Sequence, residues 1–212
     1  SSEVITMKLK DSQTYKNLAR AFAGECQART RYEFIEYGAR EQGYKALAEI
    51  IDKIAFQEFT HSRMIYSFIQ TANDGTIDNI EVCTGYPFRQ KWDLLDNLRF
   101  AAEDEGVEAD KLYPEFARVA KEEGFDDIAA LFNNLVKIEE THKNEFMRLH
   151  KLFKEGKLYK SDAPVIWKCP ECGFEATSKQ AFDTCPVCQA EKPSLFSSDP
   201  LCPLSLQAGG KS

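Results

Sequence analysis

The chain has 212 residues, of which 43% are hydrophobic and 12% aromatic, and it carries a formal net charge of -7 from 34 acidic and 27 basic residues. That is enough apolar material for a globular core, and the lack of a basic cluster argues against a phosphate-backbone partner, so nucleic acid is not expected. No run of about 18 apolar residues suggests a membrane span, and Ser1 to Lys10 lacks the basic-then-apolar order of a secretory signal, so the expected location is cytoplasmic.

Apolar residues recurring at three and four predict four long helices, over about Gln13–Glu41, Gly43–Thr71, Lys91–Glu123 and Phe125–Glu155. Gly43 and Gly124 mark tight reversals, which make the first helix antiparallel to the second and the third antiparallel to the fourth. The stretch from Asn73-Asp74-Gly75 to Pro87 is long enough to cross from one end of a bundle to the other. One long crossover is the ferritin-like topology. After Glu155-Gly156 the helical period stops and Ser161-Asp162-Ala163-Pro164 reads as a linker. The expected organisation is therefore a helical domain over 1–156, a linker over 157–164, a small domain over 165–200 and a disordered tail over 201–212.

Two copies of Glu-x-x-His stand out, Glu58-Phe59-Thr60-His61 and Glu139-Glu140-Thr141-His142, each with its glutamate fifteen residues after a glycine, Gly43 or Gly124. Each lies inside an apolar stripe: Leu47, Ile51, Ile54, Glu58, His61, Ile65, Phe68 in the second helix, and Ile128, Phe132, Leu135, Glu139, His142, Phe146, Leu149 in the fourth. The glutamates and histidines therefore face inward. The first helix adds Glu25 on the stripe Leu18, Phe22, Glu25, Tyr32, and the third adds Glu105 and Glu108 on Leu98, Ala101, Glu105, Glu108, Leu112. Ionised carboxylates inside a bundle cost several kcal/mol each unless cations neutralise them. Five glutamates suit two divalent ions, and a three-residue spacing lets a carboxylate bridge both ions while the imidazole caps one. Mixed oxygen and nitrogen ligation points to iron or manganese, with zinc or cobalt as substitutes. Tyr32 and Tyr113 lie near these stripes, where either could hydrogen-bond a ligand carboxylate, though ordinary core tyrosines fit equally.

The seven cysteines divide into isolated Cys26, Cys83 and Cys202 and two C-x-x-C knuckles, Cys169/Cys172 and Cys185/Cys188, twelve residues apart. Four thiolates at this spacing take one tetrahedral ion, zinc or iron with the same geometry. Some 35 residues cannot bury a sufficient core alone, so this segment needs its metal to fold. Beside a redox-capable bundle, the aromatics Trp167, Phe174 and Phe182 around an iron-tetrathiolate make a one-electron donor the better reading.

Together, Ala23-Gly24-Glu25 with Gln27-Ala28-Arg29 and Tyr32, Glu58-x-x-His61, Glu105-x-x-Glu108 before Tyr113-Pro114, Glu139-x-x-His142 and both knuckles resemble the rubrerythrin family, over about Leu9 to Pro200. The resemblance implies an all-α ferritin-like bundle with a C-terminal rubredoxin-like domain, acting as a non-haem diiron peroxidase that reduces hydrogen peroxide to water. It implies two iron ions held by Glu25, Glu58, Glu105, Glu139 and His142, with Glu108 and His61 exchanging at one iron as its oxidation state changes. It further implies an iron in the four-cysteine site, electrons from NAD(P)H through a rubredoxin or a separate reductase, and a homodimer or higher homo-oligomer. The bundle alone is compatible with ferritin-like iron oxidation and storage, and zinc in both sites would make a structural module.

Overall fold

The computed structural model describes residues 6–89, 92–192, 195–197, 199 and 202–205. A 3-10 turn, Leu9–Asp11, precedes helices α1 (Gln13–Glu41) and α2 (Lys45–Thr71). A crossover without regular structure leads to α3 (Leu94–Val107), a π turn (Glu108–Leu112), α4 (Tyr113–Glu122) and α5 (Asp126–Lys154), and strands β1 (Lys160–Lys168) and β2 (Glu175–Gln180) follow. Among the described residues no helix is long and apolar enough to cross a membrane. Lys91, where the third helix was expected to begin, lies outside the described residues, as do Ser1, Ser2, Pro200, Leu201 and the tail beyond Ser205.

Three helices end in the same way. Gly43, Gly124 and Gly156 have φ of 83°, 87° and 63°, a left-handed conformation that costs a residue without Cβ nothing. The following amides donate five residues back, Tyr44 to Ala39, Phe125 to Ala120 and Lys157 to Leu152, which satisfies carbonyls that the helix end would orphan. The start of α1 is closed by a carboxylate from elsewhere, since Gln13 and Thr14 donate their backbone N–H groups to Glu123 at 3.0 and 2.8 Å.

The third helix is not continuous. Pro114 has no N–H to give and its ring crowds the carbonyl four residues back, and the chain responds with a π turn that accommodates one extra residue. The expected stripe through Glu108 and Leu112 therefore slips: both are half-buried, while Ala109, Tyr113, Phe116, Ala117 and Ala120 are buried instead.

The chain forms two compact units, one of Ser1–Arg31, Ala55–Gln90 and Ala101–Glu145, the other of Tyr32–Ile54, Lys91–Phe100 and Phe146–Ser212. In the first, Tyr15, Leu18 and Ala21 of α1 pack with Ile65 and Ile69 of α2, Tyr113, Phe116 and Ala120 of α4, and Ile128, Phe132 and Leu135 of α5. Phe132 lies at its centre, with ring centroids 5.7 Å from Tyr113 and 5.4 Å from Phe116. In the second unit, Tyr32 packs on Phe146 at 4.9 Å and Tyr44 on Phe153 at 5.4 Å. There β1 and β2 form an antiparallel pair with Val165 opposite Ser178 and Trp167 opposite Ala176, and Trp167 is fully buried.

Two expectations for the C-terminal part change. Lys160 to Pro164, read as linker, belong to β1, because an extended Ala-Pro suits an edge strand as well as a linker. Within the expected tail, Cys202 and Leu204 are buried, and Arg148 of α5 donates to the Pro203 carbonyl at 2.9 Å. Phe132→Ala should lower the stability of the metal-free protein by about 3–5 kcal/mol, and Glu123→Ala by about 1–2 kcal/mol through the lost α1 cap; urea unfolding followed by circular dichroism measures both.

Candidate metal centres

Four helical segments bring acidic and imidazole groups to one place in the first unit. Donor atoms of Glu25, Glu58, His61 and Glu139 lie within 4.8 Å of one another, and so do those of Glu58, Glu105, Glu139 and His142. Glu58 and Glu139 belong to both sets, so the arrangement is two four-donor sites sharing two carboxylates. All six side chains are buried, and the two imidazoles face each other with centroids 5.9 Å apart and planes at 19°.

Each imidazole presents Nδ1 to several carboxylates at once. His61 Nδ1 lies 3.3 Å from Glu25, 3.5 Å from Glu58 and 3.2 Å from Glu139. His142 Nδ1 lies 2.7 Å from Glu58, 3.0 Å from Glu139 and 3.7 Å from Glu105. One N–H cannot serve three acceptors, and Glu58 Oε1, Glu58 Oε2 and Glu139 Oε1 are buried without hydrogen-bond partners. Buried carboxylate oxygens that find no donor are what cation ligation would satisfy. The four carboxylates of the two sets carry the charge that two divalent ions cancel, so the residues fit a dimetal centre.

The electrostatics without ions point the same way. Burial, reinforced by Glu25, Glu105 and Glu139, pushes Glu58 well above the carboxylate range. Burial also raises Glu105 to about 8, against the pull of His142. Glu139 goes the other way: burial opposes ionisation, but His142 and His61 beside it bring it down to about 2. Burial disfavours the imidazolium of His142, yet Glu105, Glu139 and Glu58 raise it to about 12; burial likewise opposes the charged form of His61, and Glu139, Glu25 and Glu58 push it well above the ordinary imidazole range. Protons on the imidazoles thus stand where metal charge would.

Supporting contacts orient the donors. Tyr113 Oη donates to Glu25 Oε1, whereas the ring contact described for Tyr32 is with Phe146. Gln57, which no sequence pattern singled out because it sits on the exposed side of α2, accepts from His142 Nε2 at 2.7 Å. That bond holds the ring with Nδ1 facing the carboxylates, where it can ligate once its own proton leaves. A second brace was also missed: Gln27 donates to the Gly24 carbonyl at 2.9 Å and accepts from Arg31, which binds Asp104 at 2.9 Å. It ties the residue before Glu25 to the residue before Glu105.

Glu108 belongs to neither four-donor set. It begins the π turn, and its Oε1 lies 3.9 Å from the point where a Gly24 Cβ would stand. Burial, together with Glu105, Glu25, Glu139 and Glu58, raises it well above the carboxylate range.

In the second unit the Cys169, Cys172, Cys185 and Cys188 sulfurs lie within 4.8 Å of one another. The knuckles repeat one backbone pattern. Gly173 N–H returns to the Cys169 carbonyl and Gln189 N–H to the Cys185 carbonyl, both at 3.0 Å, and each donor residue has positive φ, 78° and 68°. Burial works to raise the Cys185 thiol, but the backbone N–H groups of Cys188 and Val187 together with the Cys172 and Cys188 side chains lower it to about 7, toward the thiolate that a metal requires. Cys169 and Cys185 are buried, while Cys172 and Cys188 are exposed.

Raised carboxyls set a sign for the metal-free protein. A folded Glu105 that holds its proton up to about 8 is protonated where its unfolded counterpart is not, so its contribution is complete below the ordinary carboxyl range and disappears as pH rises through about 8. Glu58 and Glu108 act in the same direction, and Glu139 acts oppositely only as pH falls toward about 2. Urea unfolding should show the metal-free protein losing stability from about pH 5 to about pH 9, at up to about 1.4 kcal/mol per pH unit per group, while the metal-loaded protein, whose ligands hold no protons, shows no such loss.

The family model described as Rubrerythrin matches residues 16–150, and the one described as Rubrerythrin, rubredoxin-like domain, matches residues 167–194. Rubrerythrin of Clostridium perfringens is 43% identical over 180 residues, covering 85% of this chain and 91% of the relative. Rubrerythrin of Porphyromonas gingivalis is 36% identical over 180 residues, covering 85% and 87%. Among solved structures, the fully reduced, all-ferrous state of nigerythrin superposes with a TM-score of 0.57 at 25% identity, over 92% of this chain and 94% of that one. Bacterioferritin of Desulfovibrio desulfuricans shares the fold at a TM-score of 0.57 and 22% identity, over 68% and 82%. A ferritin-like helical bundle with twinned Glu-x-x-His donors, followed by a four-cysteine rubredoxin-like module, makes this chain a member of the rubrerythrin family.

Proposed function

We propose that the chain is a non-haem diiron peroxidase, with a diiron domain over residues 1–156 and a rubredoxin-like electron-transfer domain that opens with β1 at Lys160. The observation that carries this reading is the surplus carboxylate: two four-donor sets already balance two divalent ions, and Glu108 stands beside them. A centre that keeps both ions through its cycle must hold the positive charge gained on oxidation, for which a fifth carboxylate is suited, whereas a storage site passes its oxidised iron on.

Glu25, Glu58, His61, Glu105, Glu139 and His142 would hold two irons, with manganese or zinc as substitutes, and Cys169, Cys172, Cys185 and Cys188 a third iron. Bound iron supplies the two electrons that, with two protons, convert hydrogen peroxide to two waters. The side chains do the rest. Glu58 and Glu139 keep the two sites at one spacing, and Gln57 fixes His142 for ligation through Nδ1. Tyr113 Oη steadies Glu25 by donating to it. Glu108 would carry a proton on its carboxyl in the outward position and pass it to His61 Nδ1 as the carboxylate moves inward and that nitrogen withdraws. Exposed Cys172, Val187 and Cys188 offer an edge through which a rubredoxin or an NAD(P)H-dependent reductase delivers electrons singly. A homodimer in the cytoplasm completes the reading, since in the family the rubredoxin-like domain of one subunit serves the diiron site of another.

In anaerobic stopped-flow, peroxide should oxidise the reduced protein much faster than oxygen does; a preference for oxygen, with a mineral core forming, would establish iron storage instead. Glu108→Ala should keep its metal and lose turnover on the order of a hundredfold. Glu58→Ala should lose bundle metal outright, as elemental analysis would show, and equal metal content and rate in both variants would refute these roles.

A further inference from the structure

Two side chains of the crossover reach back to the helices that carry metal donors. Tyr86 Oη donates to the Arg20 carbonyl of α1 at 2.9 Å. Three residues on, Arg89 Nη2 spans both oxygens of Asp104 in α3, at 2.9 and 3.1 Å. Asp104 also receives Arg31, so it is already part of the brace between α1 and α3. The segment from Tyr86 to Arg89 is thereby fastened at both ends, one residue from Glu105 on one side and five residues from Glu25 on the other.

This segment and Glu108 meet at Gly24. A Cβ built on Gly24 would lie 3.8 Å from Tyr86 Cε1 and 3.9 Å from Glu108 Oε1, so ring and carboxylate flank the same bare Cα. Tyr86 is half-buried, with its ring turned to the protein and its hydroxyl spent on Arg20. We propose that Tyr86 is a positioning residue for Glu108: its ring is the outer wall against which the carboxylate rests when it is outside both donor sets, and the bond to Arg20 holds that wall in place.

The proposal rests on the reading of Glu108 as the exchanging ligand. With the ring present, the carboxylate has two resting places, against Tyr86 or among the donors. Without it a third opens, toward water, where an ionised carboxylate is solvated and favoured. Population drawn into that third state is subtracted from the inward state, and the rate of any step that needs Glu108 inward falls in proportion.

The test is a double-mutant cycle of Tyr86→Ala and Glu108→Gln, with Tyr86→Phe as the conservative variant, on iron-loaded full-length protein of verified metal content. Turnover with peroxide is one readout. The visible charge-transfer spectrum of the oxidised protein is the other, and it reports ligation without turnover. Tyr86→Ala should lower kcat on the order of tenfold and leave KM for peroxide within about twofold. It should shift the spectrum in the direction of Glu108→Gln, and add nothing in the Glu108→Gln background. Tyr86→Phe keeps the ring but loses the bond to Arg20, and should fall between the parent and Tyr86→Ala in both readouts. Independent, multiplying effects in the double variant, or an unchanged spectrum in Tyr86→Ala, overturn the role of Tyr86. A Glu108→Gln variant silent in both readouts overturns the ligand exchange itself, and the proposal with it. Should Tyr86→Ala not fold, Tyr86→Leu takes its place in the cycle with the same expected outcomes.

Discussion

The constraint on which the rest depends is the cost of placing carboxylates where water cannot reach them. Glu25, Glu58, Glu105 and Glu139 are fully buried, and ionised carboxylates in such surroundings are worth several kcal/mol of instability each unless something positive lies among them. Without ions, the chain meets this cost by keeping protons on some carboxyls and on both imidazoles. With two divalent ions, the same groups become ligands and the protons leave. The bundle is therefore built around charge that it does not itself carry, and the apolar cluster around Phe132 supplies the rigidity that holds the donors in place meanwhile.

Against that rigid set, the position of Glu108 differs in kind. It opens the π turn that Pro114 forces, so its backbone lies in the one described stretch of the bundle where regular α-helical bonding is interrupted. Glu105, three residues earlier on regular α3, is held in a donor set. A single proline thus separates a fixed carboxylate from one with room to move.

The legible part of this design is the part that obeys a period. The stripes of α2 and α5 run unbroken, and Leu47, Ile51, Glu58, His61 and Ile65, like Ile128, Phe132, Leu135, Glu139 and His142, are all buried where a 3.6-residue repeat puts them. The third helix misleads the same arithmetic, because the π turn shifts the buried seam from Leu112 to Tyr113. Gln57, Asp104 and Tyr86 act from exposed or half-buried positions and from a loop, where no repeat marks a residue, so only coordinates reveal them. β1 alternates burial at Val165 and Trp167 with exposure at Ile166. Its leading Ser-Asp-Ala-Pro looks like a hinge in a one-dimensional reading, since nothing local announces the partner strand.

The sharing of Glu58 and Glu139 has a consequence for how the bundle fills. An ion arriving at either set freezes two side chains that the neighbouring set also needs, so the second arrival finds half of its ligands already in place. The first cation alone leaves a net negative pocket that draws the next. Occupancy should therefore be close to all-or-none across a population of molecules, with half-filled bundles scarce and sub-stoichiometric metal sorting the chains into full and empty ones.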